Sequence, residues 1–303
     1  MMKFAMIGLG KMGLNLVKNA IDHEIEVVAY DVNQAAVNEA KRYSERVAGA
    51  ASIDEMLDQL PTPKIVWVMV PAGAATNATI QLLAQKLHPG DILLDGGNSN
   101  YKDNLEQNRD LTEKGIKFFD VGTSGGMAGA RFGGNFMIGG DDQDAWQQIE
   151  PLFEALAEPQ GYLYTGRLGS GHYLKMIHNG IEYGMMQAIA EGFEILEASD
   201  FEYDYEAVAK LWNHGSVIRS WLMELAQEQF AKDPKLDSIK GQVQASGEGK
   251  WTVEESLNLA VPAPVIALSL MMRNRSLQED TMTGKVVAAL RNGFGGHSLT
   301  QNK

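Results

Sequence analysis

Apolar residues follow two rhythms along this chain, and the change between them comes near Gly169. Before it, short apolar runs at 3–7, 26–30, 65–70, 92–95, 118–121, 135–138 and 162–164 read as buried strands. Between them, apolar positions three and four residues apart predict helices over 12–21, 33–46, 76–87, 101–114 and 144–156. Strands separated by helices of this length predict an α/β fold with a doubly wound, Rossmann-type parallel sheet. Beyond Gly169 the alternation stops. Helical spacing is then found at 169–198, 205–212, 217–230, 253–260, 264–276 and 281–290, with 237–249 a loop and 291–297 a glycine-rich tail. The expected organisation is therefore a Rossmann domain over 1–168 and an all-helical domain over 169–303.

The helix over 169–198 organises the rest. Leu174, Ile177, Ile181, Met185, Ile189, Phe193 and Leu196 form its apolar side, and Ser170 is placed to cap its start. Lys175, His178, Asn179 and Glu182 stand at i, i+3, i+4 and i+7, which stacks them on one face of the first turns. Single lysines and glutamates on helices are normally solvated charges. Here Gly180, Gly184 and Gly192 lie inside the same helix, each at a cost of about 1 kcal/mol relative to alanine. A helix that keeps them is expected to pack closely on backbone or ligand, and its polar face then reads as an active-site wall.

The first strand runs into Gly8-Leu9-Gly10-Lys11-Met12-Gly13 and a helix, and the second strand ends at Asp31. This order of strand, GxGxxG and helix binds dinucleotides. The glycines allow the turn, the approach of pyrophosphate and the packing of helix on strand, while an acid on the second strand takes the ribose hydroxyls. Further loops of small and polar residues end three other strands: Val70-Pro71-Ala72-Gly73, Asp95-Gly96-Gly97-Asn98-Ser99 and Gly122-Thr123-Ser124-Gly125-Gly126. Asn98 offers a donor and an acceptor, and Ser124 to Gly126 offer a hydroxyl and adjacent N–H groups suited to a carboxylate.

Composition narrows the chemistry. The chain has 303 residues, no cysteine and a formal net charge of −13. Thiolate nucleophiles, disulfides and zinc-thiolate sites are excluded, no metal cluster is visible, and a surface this acidic does not suit nucleic acid. No run approaches the ~20 apolar residues of a membrane span, and a cytoplasmic protein is expected.

GLGKMG at the start, DGGNSNY at 95–101, TSGGMAGARFG at 123–133, GSGHYLKMIHNGIEYGMMQ at 169–187, GEGKWT at 247–252 and RNGFGGH at 291–297 together resemble the decarboxylating 6-phosphogluconate dehydrogenases of the pentose phosphate pathway. The resemblance spans almost the whole chain, in the shorter bacterial form of that family. It implies oxidative decarboxylation of 6-phosphogluconate to ribulose 5-phosphate, with Lys175 as general base and Glu182 as general acid. It further implies substrate contacts from Asn98, Ser124, Gly125, Gly126, His178 and Asn179. Tyr183, Lys250, Thr252, Arg273, Arg291 and His297 would hold the 6-phosphate. The cofactor would lie on Gly8, Leu9, Gly10, Lys11, Met12, Gly13, Asp31, Asn33, Val70, Pro71, Ala72 and Asn98. Asp31 in place of an arginine-bearing turn favours NAD over NADP, and no metal is required. A homodimer or homotetramer is expected, with the tail acting across subunits. Two rivals stay open: a related dehydrogenase of small unphosphorylated hydroxy acids, and a non-catalytic dinucleotide-binding regulator.

Overall fold

The apolar runs become strands, and the strand ends carry the loops singled out above. A computed structural model describes residues 2–300. In chain order it contains β1 (Lys3–Ile7), α1 (Lys11–Asp22), β2 (Glu26–Tyr30), α2 (Gln34–Tyr43), β3 (Val47–Gly49), α3 (Ile53–Asp58) and β4 (Ile65–Val68). Then come α4 (Ala74–Leu83), β5 (Ile92–Asp95), α5 (Tyr101–Glu113), β6 (Lys117–Ser124), α6 (Gly126–Phe132), β7 (Gly134–Gly140), α7 (Gln143–Leu156) and β8 (Ala157–Gly166). The rest is helical: α8 (Ser170–Glu197), α9 (Tyr205–Asn213), α10 (Trp221–Lys232), α11 (Gly247–Asn258), α12 (Pro264–Ser276) and α13 (Met282–Gly295). The chain folds as two units, Met1–His178 and Asn179–Lys303.

The strands form one sheet in the order β3-β2-β1-β4-β5-β6-β7-β8. Its first six strands are parallel and reverse direction of winding between β1 and β4, the switch point at which such sheets bind ligands. Alternate side chains feed two cores. Phe4, Met6, Val27 and Ala29 lie on one face, with Trp67 packed among Phe4, Phe136 and Phe153; Ala5, Ile7, Val28 and Val66 lie on the other.

Several features depart from the periodicity. The sheet is not wholly parallel, because β7 runs antiparallel to β6. The link between Ser124 and Gly134 is shorter than the roughly dozen residues a parallel crossover takes, so the chain turns back instead. Three short elements, β3, α3 and α6, stand where the periodicity predicts none, and each is too brief to show a period. In the helical unit, α10 begins at Trp221 rather than 217, because the Ser220 hydroxyl accepts from the Met223 amide at 3.1 Å. The GEGK segment is the first turn of α11, not the end of a loop. Gly249 there is demanded by packing: a Cβ would come within 2.5 Å of the Tyr183 ring. The tail is helical as far as Gly295.

In the second unit, Phe193 of α8, Tyr205 and Ala209 of α9, and Met223 and Phe230 of α10 form the core. Tyr205 and Lys235 both bond to the Glu197 carboxylate, pinning the end of α8 to α9 and to the segment after α10.

Helix α8 departs from expectation at its cap and on its apolar side. Ser170 is inside the helix, and its hydroxyl donates to the Arg167 carbonyl at 2.5 Å. The cap comes from another element: the Asp120 carboxylate of β6 accepts from the amides of Gly169 and His172, both at 2.6 Å. Ile189, Phe193 and Leu196 pack inward as expected, whereas Leu174, Ile181 and Met185 are exposed in the single chain. Of the internal glycines, Gly180 faces Thr252 and Gly184 faces Val265, but a Cβ on Gly192 would meet nothing within 4 Å.

Two glycines of one helix should therefore answer alanine substitution with opposite signs. At Gly171 a Cβ would press on the Met137 carbonyl and lie 2.7 Å from both the Asp120 carbonyl and the Gly139 amide nitrogen, all backbone atoms. Gly171→Ala is expected to destabilise by about 1–3 kcal/mol through overpacking. Gly192→Ala should stabilise by up to about 1 kcal/mol from helix propensity. Urea unfolding of the two variants beside the parent checks both signs.

Candidate active site

The end of the sheet expected to take a dinucleotide is built by β1, α1 and β2. Gly8 has φ +95, and a Cβ there would lie 2.5 Å from the Met69 carbonyl oxygen, at the end of the neighbouring strand. Gly13 sits directly on the Gly8 carbonyl, so α1 packs on the turn only without a side chain there. Gly10, in contrast, is exposed, and a Cβ would meet nothing within 4 Å. It is the N-cap of α1 and supplies no side chain to the helix end, and the first turn carries no acid. Free N–H groups and an unshielded positive helix terminus therefore face outward, as a pyrophosphate requires. Lys11 is exposed and Met12 half-buried on that turn, while Leu9 is buried.

Asp31, one residue beyond β2, is engaged on both oxygens. One accepts from the Leu9 amide at 2.7 Å and the other from the Asn33 amide at 2.7 Å. It thus clips the glycine turn to the second strand, while Asn33 caps α2 by accepting from Ala35. Val32 projects into solvent with 94 % of its surface exposed. After β4 come Val70, Pro71 and Ala72. Thr76 ties this turn down, its hydroxyl placed against the Val70 and Pro71 carbonyls at 3.3 and 2.9 Å. These features fit a dinucleotide.

A second set of residues gathers at the ends of β5 and β6. Asn98 has φ +57, a left-handed conformation that asparagine tolerates better than most residues and that recurs at functional sites. The preceding Gly97 amide is held by Asp95 Oδ1 at 2.9 Å. Ser124 ends β6, and its hydroxyl meets His178 Nε2 of α8 at 3.3 Å. Gly125 and Gly126 follow with φ +102 and +58. Lys175 is only 7 % exposed. Its stem lies on Gly122, where a Cβ would be 2.5 Å from Lys175 Cβ. The structure thus brings Ser124, Lys175 and His178 together within the first unit. Asn179 and Glu182 continue the same helical face and are partly buried.

Within the second unit, Tyr183 is the hub. Its hydroxyl accepts from the Ser246 amide and pairs with the Ser246 hydroxyl, both at 2.8 Å. The Arg273 guanidinium stacks 3.4 Å over its ring, and buried Thr252 faces Gly180 one turn of α8 earlier. Tyr183, Thr252 and Arg273 are therefore assembled. Lys250 is exposed beside Glu254 at 3.4 Å. Arg291 lies on α13 and His297 just beyond it. Both are exposed, and the His297 ring stands edge-on to Phe294.

Sequence reading missed several residues that hold this arrangement. Asp120 was visible only as a charge inside an apolar strand. Burial pushes its pKa up, opposed by His172 and by the two amides it accepts from. Asp95, Asn104 and His172 form a buried chain: Asn104 Nδ2 donates to Asp95 Oδ2 at 2.7 Å, and His172 Nδ1 meets Asn104 Oδ1 at 2.7 Å. Among the described residues, no group of three or more His, Cys, Asp or Glu side chains is placed to hold a metal ion, and no helix is long and apolar enough to cross a membrane.

Comparison with known proteins places most of the chain in one family. Residues 3–169 match the NAD-binding domain of 6-phosphogluconate dehydrogenase, and residues 171–292 match the C-terminal domain of 6-phosphogluconate dehydrogenase. YqeC of Bacillus subtilis, whose name assigns it provisionally to that enzyme, is 58% identical over 98% of this chain and 99% of its own. The NAD(+)-dependent, decarboxylating 6-phosphogluconate dehydrogenase of Haloferax volcanii is 40% identical over 99% of both chains. The solved Plasmodium falciparum 6-phosphogluconate dehydrogenase, studied with NADP+ and with 6-phosphogluconate, superposes with a TM-score of 0.84 at 30% identity; the match covers 99% of this chain and 66% of that one. With its glycine turn, its strand-end loops and its polar helix face all within the matched regions, the chain belongs to the 6-phosphogluconate dehydrogenase family.

Proposed function

We propose that this protein oxidises and decarboxylates 6-phosphogluconate to ribulose 5-phosphate and CO₂, with NAD as the preferred electron acceptor. The observation that carries the reading is the buried Lys175 seated on Gly122, beside the Ser124–His178 pair and on the same helical face as Asn179 and Glu182. The nicotinamide, when bound, accepts the hydride from C3 of the substrate. Lys175, as the neutral amine, takes the proton of the C3 hydroxyl. The C1–C2 bond of the resulting 3-keto acid then breaks, CO₂ leaves, and the electron pair passes to the C3 oxygen. That oxygen recovers a proton from the Lys175 ammonium, giving an enediol. Glu182, two turns along α8, gives a proton to the carbon that becomes C1, while Lys175 removes the hydroxyl proton next to it. The two groups thus act as base and acid on adjacent carbons, and no metal takes part.

Ser124, Gly125 and Gly126 bind the carboxylate, with Asn98, His178 and Asn179 on the sugar hydroxyls. Tyr183, Lys250, Thr252 and Arg273, joined by Arg291 and His297, bind the 6-phosphate, for which a guanidinium fork is well suited. The assignment of NAD rests on Asp31, whose carboxylate hydrogen-bonds ribose hydroxyls and repels a 2′-phosphate. The relative from Haloferax volcanii is named as NAD(+)-dependent, which supports this; the Plasmodium falciparum enzyme carries NADP+. A self-assembly of two or four chains is supported by α13. None of its residues is buried in the single chain, and Met282, Val286, Val287, Leu290 and Phe294 are exposed along it. Cytoplasmic operation in the pentose phosphate pathway, on gluconate-derived substrate, completes the proposal.

Lys175→Met should cut kcat by at least about a thousandfold, as loss of an acid–base group does, with NAD affinity unchanged by calorimetry; near-normal turnover would remove Lys175 from the mechanism. Glu182→Gln should lower kcat more than it raises KM.

The wild-type kcat/KM should be at least about tenfold higher with NAD than with NADP, a carboxylate facing the 2′-position being the cause. Val32→Arg, which leaves the Asp31 clip intact, should narrow that ratio. A wild-type preference for NADP would overturn the cofactor assignment.

Mixing Lys175→Met with the double variant Arg291→Ala/His297→Ala, under subunit exchange, tests the tail. If the tail completes a neighbouring chain's site, some hybrid sites regain both parts and activity returns. If each chain completes its own site, the mixture stays as inactive as its components.

A further inference from the structure

The chain of Asp95, Asn104 and His172 is not accounted for by the proposed chemistry. All three side chains are buried, Asp95 and Asn104 completely and His172 to within 2 %. Buried polar groups of this kind are costly compared with apolar residues of similar size, so their retention calls for a reason. The bonds leave little freedom. Asp95 Oδ1 accepts from the Gly97 amide at 2.9 Å, and Oδ2 accepts from Asn104 Nδ2 at 2.7 Å. The amide orientation so imposed turns Asn104 Oδ1 towards His172, whose Nδ1 lies 2.7 Å away and must therefore carry the hydrogen. The backbone amide of His172 is in turn held by Asp120 Oδ2 at 2.6 Å. His172 Nε2 is buried with no hydrogen-bond partner among the described residues, so the ring is held by its Nδ1 side alone.

The two ends of this chain are the informative part. At one end Gly97 immediately precedes Asn98, whose left-handed backbone is fixed by that turn. At the other, His172 is one helical turn before Lys175 and on the same side of α8. The whole path lies within the first unit. We propose that His172, backed by Asn104 and Asp95, is a positioning residue that holds the Asn98 loop and the Lys175 turn in one register. The inference rests on the reading of Lys175 and Asn98 as substrate-facing groups. Its physical basis is that reacting groups displaced by about 1 Å can lose on the order of a hundredfold in rate, so two elements that must agree in position gain from a direct tie.

The test uses the full-length enzyme with His172→Phe, which keeps the ring volume and removes the donor, and His172→Asn, which restores a donor near the Nδ1 position. In His172→Phe, kcat should fall by about tenfold or more, with KM for 6-phosphogluconate and NAD affinity within about twofold of the parent, since misplacement costs the transition state more than binding. His172→Asn should recover kcat to within about threefold of the parent by remaking the bond to Asn104. Amide hydrogen exchange, followed by mass spectrometry of peptides covering 92–104, supplies a readout outside the chemistry. Exchange there should quicken by about tenfold in His172→Phe, although the substitution lies on a different element, because the far end of the chain is loosened. Unchanged exchange at 92–104 in a folded His172→Phe overturns the proposal, as does an unchanged kcat or a His172→Asn as slow as His172→Phe. Turnover by Lys175→Met would defeat the assignment of the base alone, since the exchange coupling does not pass through it.

Discussion

The first turn of α8 is held by a carboxylate from the middle of the sheet, and the rest of the first unit's chemistry depends on that bond pair. Asp120 accepts two short amide bonds, from Gly169 and His172, in a site with no access to water. The two bonds satisfy amides at the helix start that would otherwise lie buried without a partner. Because Asp120 belongs to β6, with β5 and β7 on either side, the helix inherits the rigidity of the sheet. Close seating also requires the absence of side chains at Gly122 under Lys175 and at Gly171 above the backbone of β6 and β7. A lysine has four rotatable carbons and is a poor choice for precise placement unless its stem is clamped. Here the clamp is the sheet itself, and Lys175 and His178 follow from it by helical geometry.

Much of this was legible in the sequence, for reasons that also mark where legibility stops. The strands were visible because a sheet covered on both faces needs unbroken apolar runs, and the glycine turn because few residues can stand where Gly8 and Gly13 do. The face of Lys175, His178, Asn179 and Glu182 was visible because helical period is a local property. The reversal of β7 was hidden, since strand direction is set by the length of the connection and not by the run itself. The cap on α8 was misassigned to Ser170 for a similar reason: sequence suggests local caps, and the acceptor comes from a residue 49 positions earlier. The GEGK segment read as a loop because two glycines weigh against a helix, until Tyr183 shows why Gly249 cannot be larger.

The apolar side of α8 shows a different limit. Periodicity identified Leu174, Ile181 and Met185 correctly as one stripe with Ile189 and Phe193, but only the latter part packs within the chain. A pattern of hydrophobic positions says that a face favours cover and does not say whether the chain itself supplies it. Helix α13, with five large apolar residues exposed and none buried, makes the same point more strongly. Each isolated exposed leucine would be ordinary; a whole helix without a buried residue is not.

The same distinction separates the residues assigned to the substrate phosphate. Tyr183, Thr252 and Arg273 are fixed before any ligand arrives: the tyrosine by Ser246, the threonine by the Glu248 carbonyl, and the guanidinium by its stack on the ring. Stacking leaves the edge of a guanidinium available for a planar, two-pronged contact while removing much of the freedom that binding would otherwise cost. Lys250, Arg291 and His297 are exposed and carry no such restraint beyond Glu254 beside the lysine and Phe294 beside the histidine. A phosphate held first by the preorganised group and then by the exposed Lys250 and Arg291 would gain most of its orientation from the former and most of its charge neutralisation from the latter. Substitutions in the two sets should accordingly differ in kind: loss of the Arg273 stack disturbs where the sugar lies, whereas loss of an exposed cation weakens binding with a dependence on ionic strength.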